Sequence, residues 1–274
     1  MLADLRDLWA GGVASAVDLG GIGADLRRLA EESRRAGAEL PRLEYAGAYL
    51  TAPGGYPAQA SWAPAGSCRE VASPSHAADV VQEQIDAGAT RIKAVLSTVH
   101  EAPTFDVPTL AAVAAAAHAA GVELVTHAQG PNTVEIALEA GTEVFAHTPW
   151  TQPLSDDVID RAASATAWIS TIDIHGYGER TPDRITALDN LGRFAAAGGT
   201  IRYGTDYGNG PVPAGVNPRE VEALQSAGLG IDAVLTTMTL GPDDLPVTWL
   251  PDGLPDDPAM LPTVLTSARI LSGW

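Results

Sequence analysis

The chain is short of cysteine, of lysine, of aromatic residues and of net positive charge, and each shortage removes a class of protein. A single cysteine, Cys68, excludes an intrachain disulfide framework and fits a reducing compartment, where it reads as a small buried hydrophobe. No apolar run reaches the ~18 residues that a membrane span needs. Residues 1–6 do not alternate as a basic-then-apolar leader would, so the expectation is a soluble, cytoplasmic protein. The formal net charge of −18 comes from 34 acidic residues scattered among apolar ones, against 16 basic ones. That balance argues against nucleic acid and anionic membrane as partners, because both need a basic footprint. All the basic residues but one are arginine, and the exception is Lys93. An amine differs from a guanidinium in that it sheds its proton when buried and then acts as a nucleophile or is modified.

What is present is a composition that buries a core: 274 residues, 46% hydrophobic, with 28 glycines and 20 prolines. Helical amphipathic stretches alternate with short apolar runs rich in β-branched residues, the pattern of repeated βα units around a parallel sheet. The strand candidates are 13–18, 43–50, 91–96, 122–127, 142–147, 167–172 and 200–206. Helical stretches lie between them at 22–36, 76–87, 107–119, 132–140, 155–163 and 182–197, with two more at 217–228 and 231–239. Several end on glycine, as at Gly121, Gly141 and Gly198, where a helix C-cap favours positive φ. Without a Gly-rich phosphate turn after the first strand, these units fit a TIM-like (β/α)8 barrel, one strand short, better than an open doubly wound sheet. The barrel is expected over 1–240, and a Pro/Asp-rich C-terminal extension over 241–274. The 51–75 connection is long for a βα loop and reads as a lid.

Barrel enzymes carry their chemistry at the C-terminal ends of strands. At or near such ends stand Lys93, inside the run 91–96, His127 and His147, which close their runs, and Asp206, which follows 201–205. Two imidazoles and a carboxylate are the ligand types that hold Zn²⁺ or a similar divalent ion with an open position for water. A carboxylate such as Asp206 would take the proton of an attacking water. His76 and His118 fall on helical stretches and read as surface or packing residues. Around the mouth, Tyr49, His100, Trp150, His175, Tyr177 and Tyr207 form an aromatic and neutral-polar set suited to a small-molecule substrate, and each reads equally well as loop packing. Arg180 and Arg202 could pair a substrate carboxylate, although solvated arginines are the commoner case.

The segments around Gly88 to Lys93, Val125 to Ala128, Ala140 to His147 and Gly204 to Asp206 resemble, in order and spacing, the strand motifs of the amidohydrolase superfamily, closest to its imidazolonepropionase-like and prolidase-like branch. Residues 12–21, 47–55 and 224–235 extend the resemblance over most of 1–240. It implies a barrel that hydrolyses amide, other C–N or ester bonds at one or two divalent metals. It further implies that Lys93 is carboxylated by CO₂, that Lys93, His127 and His147 complete one metal site, and that Asp206 binds metal and accepts the proton. The chain departs from the family in having no His-x-His pair; its first histidine is His76.

Three readings follow. The protein is a one-metal hydrolase, with zinc the first expectation and one ion favoured over two; or it is part of a longer two-metal enzyme; or its ligand set has decayed and the barrel binds a small molecule or a partner without catalysis. A barrel one strand short exposes edges that a second subunit would cover, so a homo-oligomer is expected.

Overall fold

A computed structural model of the chain describes residues 1–99, 101–239 and 246–271. The strands are β1 (Ser15–Asp18), β2 (Arg42–Tyr45), β3 (Tyr49–Thr51), β4 (Cys68–Glu70), β5 (Ile92–Ser97), β6 (Leu124–Gln129), β7 (Val144–Ala146), β8 (Ala167–Ile169), β9 (Thr200–Arg202), β10 (Thr248–Trp249) and β11 (Arg269–Ile270). The helices are α1 (Leu2–Ala10), α2 (Gly23–Ser33), α3 (Ala77–Asp86), α4 (Val107–Ala119), α5 (Thr133–Glu139), α6 (Asp156–Ala165), α7 (Pro182–Ala196), α8 (Pro218–Ser226), α9 (Ile231–Met238) and α10 (Leu261–Leu265). Their starts follow the side chains that satisfy free N–H groups: Asp106 accepts from Thr109 at 2.8 Å, Thr181 from Arg184 at 3.1 Å and Asn217 from Arg219 at 3.1 Å. The closing glycines at 121, 141 and 198 adopt positive φ as expected.

The main sheet runs β4-β3-β5-β6-β7-β8-β9, every pair parallel, and β1 pairs in parallel with β2. Among the described residues β1 pairs only with β2, and β9 only with β8. Three features differ from the sequence reading. The expected strand 43–50 is broken at Ala46-Gly47-Ala48, so that β2 serves β1 while β3 serves β4 and β5. Gly47 takes φ +73° with the Gln84 Oε1 only 2.6 Å from where a Cβ would stand, and the Ala48 N–H donates to that same oxygen at 2.9 Å. The long 51–75 connection contains β4, and the chain end forms α10 against α8 together with β10 and β11, which pair antiparallel.

The sheet curves back on itself, and side-chain contacts show it. Leu19, just past β1, packs against the cluster of Val125, Val144, Ala146 and Ala167 from β6, β7 and β8. Arg202 of β9 likewise reaches across the interior and donates through both terminal nitrogens to Glu123, at the start of β6, at 2.6 and 2.8 Å. Beside it, Arg91 pairs with Glu44 of β2 at 2.7 Å. This curvature fits the TIM-like barrel expected from the sequence. The outer face of the sheet packs on helices, as where Trp168 of β8 stacks on Phe194 of α7 at 3.9 Å.

The guanidinium of Arg202, the last residue of β9, is thus taken up by Glu123 at the start of β6, and Arg180 is exposed. The Glu123 carboxyl is held below its ordinary range, chiefly by the hydrogen bonds from Arg202. A carboxylate with a depressed folded-state value stabilises the fold above the unfolded value and loses that contribution as pH falls through the folded one. Replacing Arg202 with Met should thus cost about 1–2 kcal/mol at pH 7. In parallel urea titrations the gap to wild type should shrink as pH drops below about 4.5; a gap independent of pH would show that packing, not the ion pair, ties β9 to β6.

Candidate active site

A second set of polar groups gathers in the interior, and Lys93, expected near the end of its strand, is the second residue of β5 (Ile92–Ser97). Lys93 lies level with Tyr49 on β3 and Val125 on β6, and all six residues of β5 are buried. Its side chain is 4% exposed and donates to the Ala146 carbonyl at 3.3 Å. Burial brings its amine down to about 7, with Asp206 pulling the other way. His127 stands two residues further along β6 than Val125, and His147 directly follows β7; their ring centroids are 5.3 Å apart and perpendicular. Both imidazoles are held well below the ordinary histidine range, first by burial; His147 and Lys93 then add to the effect on His127, and Lys93 and His175 to that on His147. They are therefore neutral, the form in which an imidazole offers a lone pair.

Their orientation comes from second partners. His127 Nε2 lies 3.4 Å from Gln129 Oε1, and His147 Nδ1 lies 2.8 Å from Thr171 Oγ1. Thr171 is buried and in the left-handed region, at φ +46°. It opens a turn, Ile172–His175, that carries His175 over the mouth. His175 stacks on Trp150 at 4.7 Å, and Trp150 in turn meets the edges or faces of His127 at 5.5 Å and His147 at 5.7 Å. Burial lowers His175 to about 4, and among the described residues its Nε2 atom has no hydrogen-bond partner.

Asp206 follows β9 at φ +53° rather than ending a strand, and accepts from the Asn209 side chain at 2.8 Å. Its charge is felt by Lys93, His127, His175, Tyr49, Tyr56 and Asp18, which puts one carboxylate in the midst of the cluster. Asp18, the last residue of β1, was not among the sequence candidates. Its carboxyl accepts from the Gly20 N–H at 2.9 Å and is raised above the usual range, mainly by burial and further by Asp206. The signal in the sequence was an acidic residue closing a strand candidate just before Gly20-Gly21. Tyr49 is likewise pushed up by burial first and then by Asp18 and Asp206, and its ring packs over Gly20, leaving no room there for a Cβ.

The remaining candidates lie outside this cluster. Tyr177 donates to the Asn209 carbonyl at 3.4 Å and so props the loop that bears Asp206. Tyr207 is 37% exposed and faces Asp4 and Asp7 of α1. His118 pairs with Glu143 on the surface, and His76 lies in an exposed turn, as expected. His100 falls outside the described residues.

Beneath His175, a buried polar network holds the turn. Asp173, fully buried, accepts from Asn217 at 2.8 Å and from Arg219 at 2.9 Å, with Arg184 at 3.6 Å. Glu220 accepts from the backbone N–H groups of Ile172 and Asp173 at 3.0 and 2.7 Å, while burial pushes its own carboxyl up to about 7. Asp173→Asn keeps the shape but leaves two guanidinium groups without their anion. It should lower unfolding free energy by about 3 kcal/mol or more in denaturant and speed amide exchange over 172–175; a loss below about 1 kcal/mol would show that the arginines find other partners.

No protein-family model and no curated protein matches the chain. Solved structures do. A Xaa-Pro dipeptidase with bound methionine in its active site superposes with a TM-score of 0.76 at 17% identity, covering 99% of this chain and 78% of the other. The ochratoxinase of A. niger gives 0.76 at 17% identity over 98% and 73% of the two chains. A molinate hydrolase gives 0.75 at 15% identity over 98% and 73%. A structure described as an amidohydrolase aligns at 0.66 and 19% identity over 86% and 64%. Identities this low speak for architecture alone: the chain shares the α/β fold of these solved structures.

Proposed function

We propose that the protein is a metal-dependent hydrolase acting on an amide, other C–N or ester bond of a small molecule, on a TIM-like barrel that lacks or replaces its first strand. The observation that carries this is the convergence of Lys93, His127 and His147, with the amine brought to about 7 and both imidazoles neutral. These donors fit a divalent ion, zinc first, and one ion rather than two. Among the described residues no three His, Cys, Asp or Glu side chains gather closely enough to hold a metal on their own, so the site depends on Lys93 to complete it. A neutral amine attacks CO₂, forming an N–C bond and releasing a proton, and so becomes a carboxylate-bearing carbamate where a guanidinium would not. The bound ion would supply Lewis acidity and lower the pKa of a water.

The chain's own groups would do the rest. Asp206 accepts the proton of the attacking water and passes it toward the leaving group. His175, with its unpartnered Nε2, and Trp150 face the reacting bond, while Tyr49 closes the β1 side. Thr171 holds His147 in the direction that points its other nitrogen into the cluster. Tyr177 acts through the Asn209 loop. The titles of the similar structures, a dipeptidase, an ochratoxinase and a molinate hydrolase, are in keeping with a hydrolase. The same want of a three-ligand cluster favours a second reading, a barrel that binds a small molecule without chemistry. A homo-oligomer remains part of the proposal, with Val17 on β1, 41% exposed, at the edge a partner would cover.

Two measurements decide between them. Wild type dialysed against zinc and ¹³C-bicarbonate should retain about one equivalent of metal and show a carbamate carbon resonance, both lost in Lys93→Ala. Metal-free wild type under those conditions overturns the hydrolase and leaves the binding barrel. Thr171→Val, which removes only the hydroxyl, should weaken metal retention by about 10–100-fold in a chelator competition with little change in melting temperature. Unchanged retention would mean that packing alone orients His147.

A further inference from the structure

Beside the imidazole cluster lies a second concavity that the chemistry above does not use. It measures about 350 Å³ and is lined by Tyr56, Gln59, Ala60, Ser61, Trp62 and Ala102. Two loops build it, one leaving β3 and one leaving β5. They pack closely enough that a Cβ on Gly55 would come within 2.8 Å of the Pro103 carbonyl. Among the described residues no charged side chain lines it. Trp62 stands edge-on to Tyr56 at 6.1 Å and to Tyr49 at 6.2 Å, yet keeps 56% of its surface in water. Tyr56 is shared between the two concavities: its ring lies 6.3 Å from that of His127.

A large indole held in place by two rings, but exposed at the rim of a neutral cavity, is a preformed face rather than core. Edge-to-face walls favour a flat ring over a saturated group of equal size, because ring edges are electropositive and ring faces electronegative. A volume near 350 Å³ admits one such ring with its linker. We propose that this concavity is a substrate subsite for a neutral planar aromatic group, and that Tyr56 positions the group so that the scissile bond it carries meets the imidazole cluster. The assignment of the occupant as substrate rests on the hydrolase reading; the binding itself does not.

The test therefore measures binding, with benzamide as probe and cyclohexanecarboxamide as its saturated counterpart, by calorimetry on the whole chain. Benzamide should bind wild type about three- to tenfold more tightly than the saturated amide, and Trp62→Ala should abolish that preference. Because Trp62 is largely exposed, this variant should fold; Tyr56→Leu provides a second reduction of the same wall. Lys93→Ala should leave benzamide binding unchanged, which separates the subsite from the metal chemistry. Equal binding of the two amides, or indifference to Trp62→Ala, overturns the proposal. So does loss of binding in Lys93→Ala, which would put the probe on the metal site. Dimers in light scattering that Trp62→Ala dissociates also overturn it, since a second copy would then be the occupant.

Discussion

Ion pairs between side chains distant in sequence span the interior of this molecule and constrain how its strands sit. The Arg202–Glu123 fork ties β9 to β6 across the interior, and the Arg91–Glu44 pair ties β5 to β2 beside it. Lys93, His127, His147 and Asp206, which come from four separate stretches of chain, share one electrostatic neighbourhood. Each of the ion pairs neutralises itself, while around Lys93 stand groups whose charge burial suppresses.

That suppression is what makes the site chemically interesting. A lysine next to two histidines in water would be a cluster of cations; removed from water, it is an amine near neutrality beside two lone-pair donors. The carboxylates Asp18 and Asp206 face the same space and supply the negative counterpart. The aromatic residues finish the arrangement: Trp150 touches three imidazoles, and Tyr56 leads from them to the neutral cavity under Trp62.

The parts of this that were legible in the sequence are those that a local pattern encodes. Lys93 stood out by its rarity, and His127 and His147 by closing apolar runs, because strand periodicity fixes which end a residue reaches. Trp150 and His175 were legible as loop residues after strands. Asp206 was recognised, although it stands four residues beyond β9 on a turn. What escaped depends on contacts distant in sequence. Arg202 read as a free guanidinium because Glu123 lies 79 residues away. Tyr207 read as a mouth residue because its turn direction toward α1 has no local signature. Asp18 was passed over since its neighbour across the interior, Asp206, becomes visible only once the sheet curls. The run 43–50 looked like one strand because a single glycine in an apolar stretch does not announce a break; the partner that makes the break stable, Gln84, sits on α3.

That break also changes how force and substitution travel through the molecule. At Gly47 a side-chain amide stands in for a ladder hydrogen bond, so the β2–β3 segment is two short rods with a joint rather than one stiff strand. The rod on one side belongs with β1 and Asp18, and the rod on the other leads directly into the loop bearing Tyr56 and Trp62. The two walls of the mouth therefore hang on separate rods that meet at one joint, and the residue that holds the joint is a glutamine on α3.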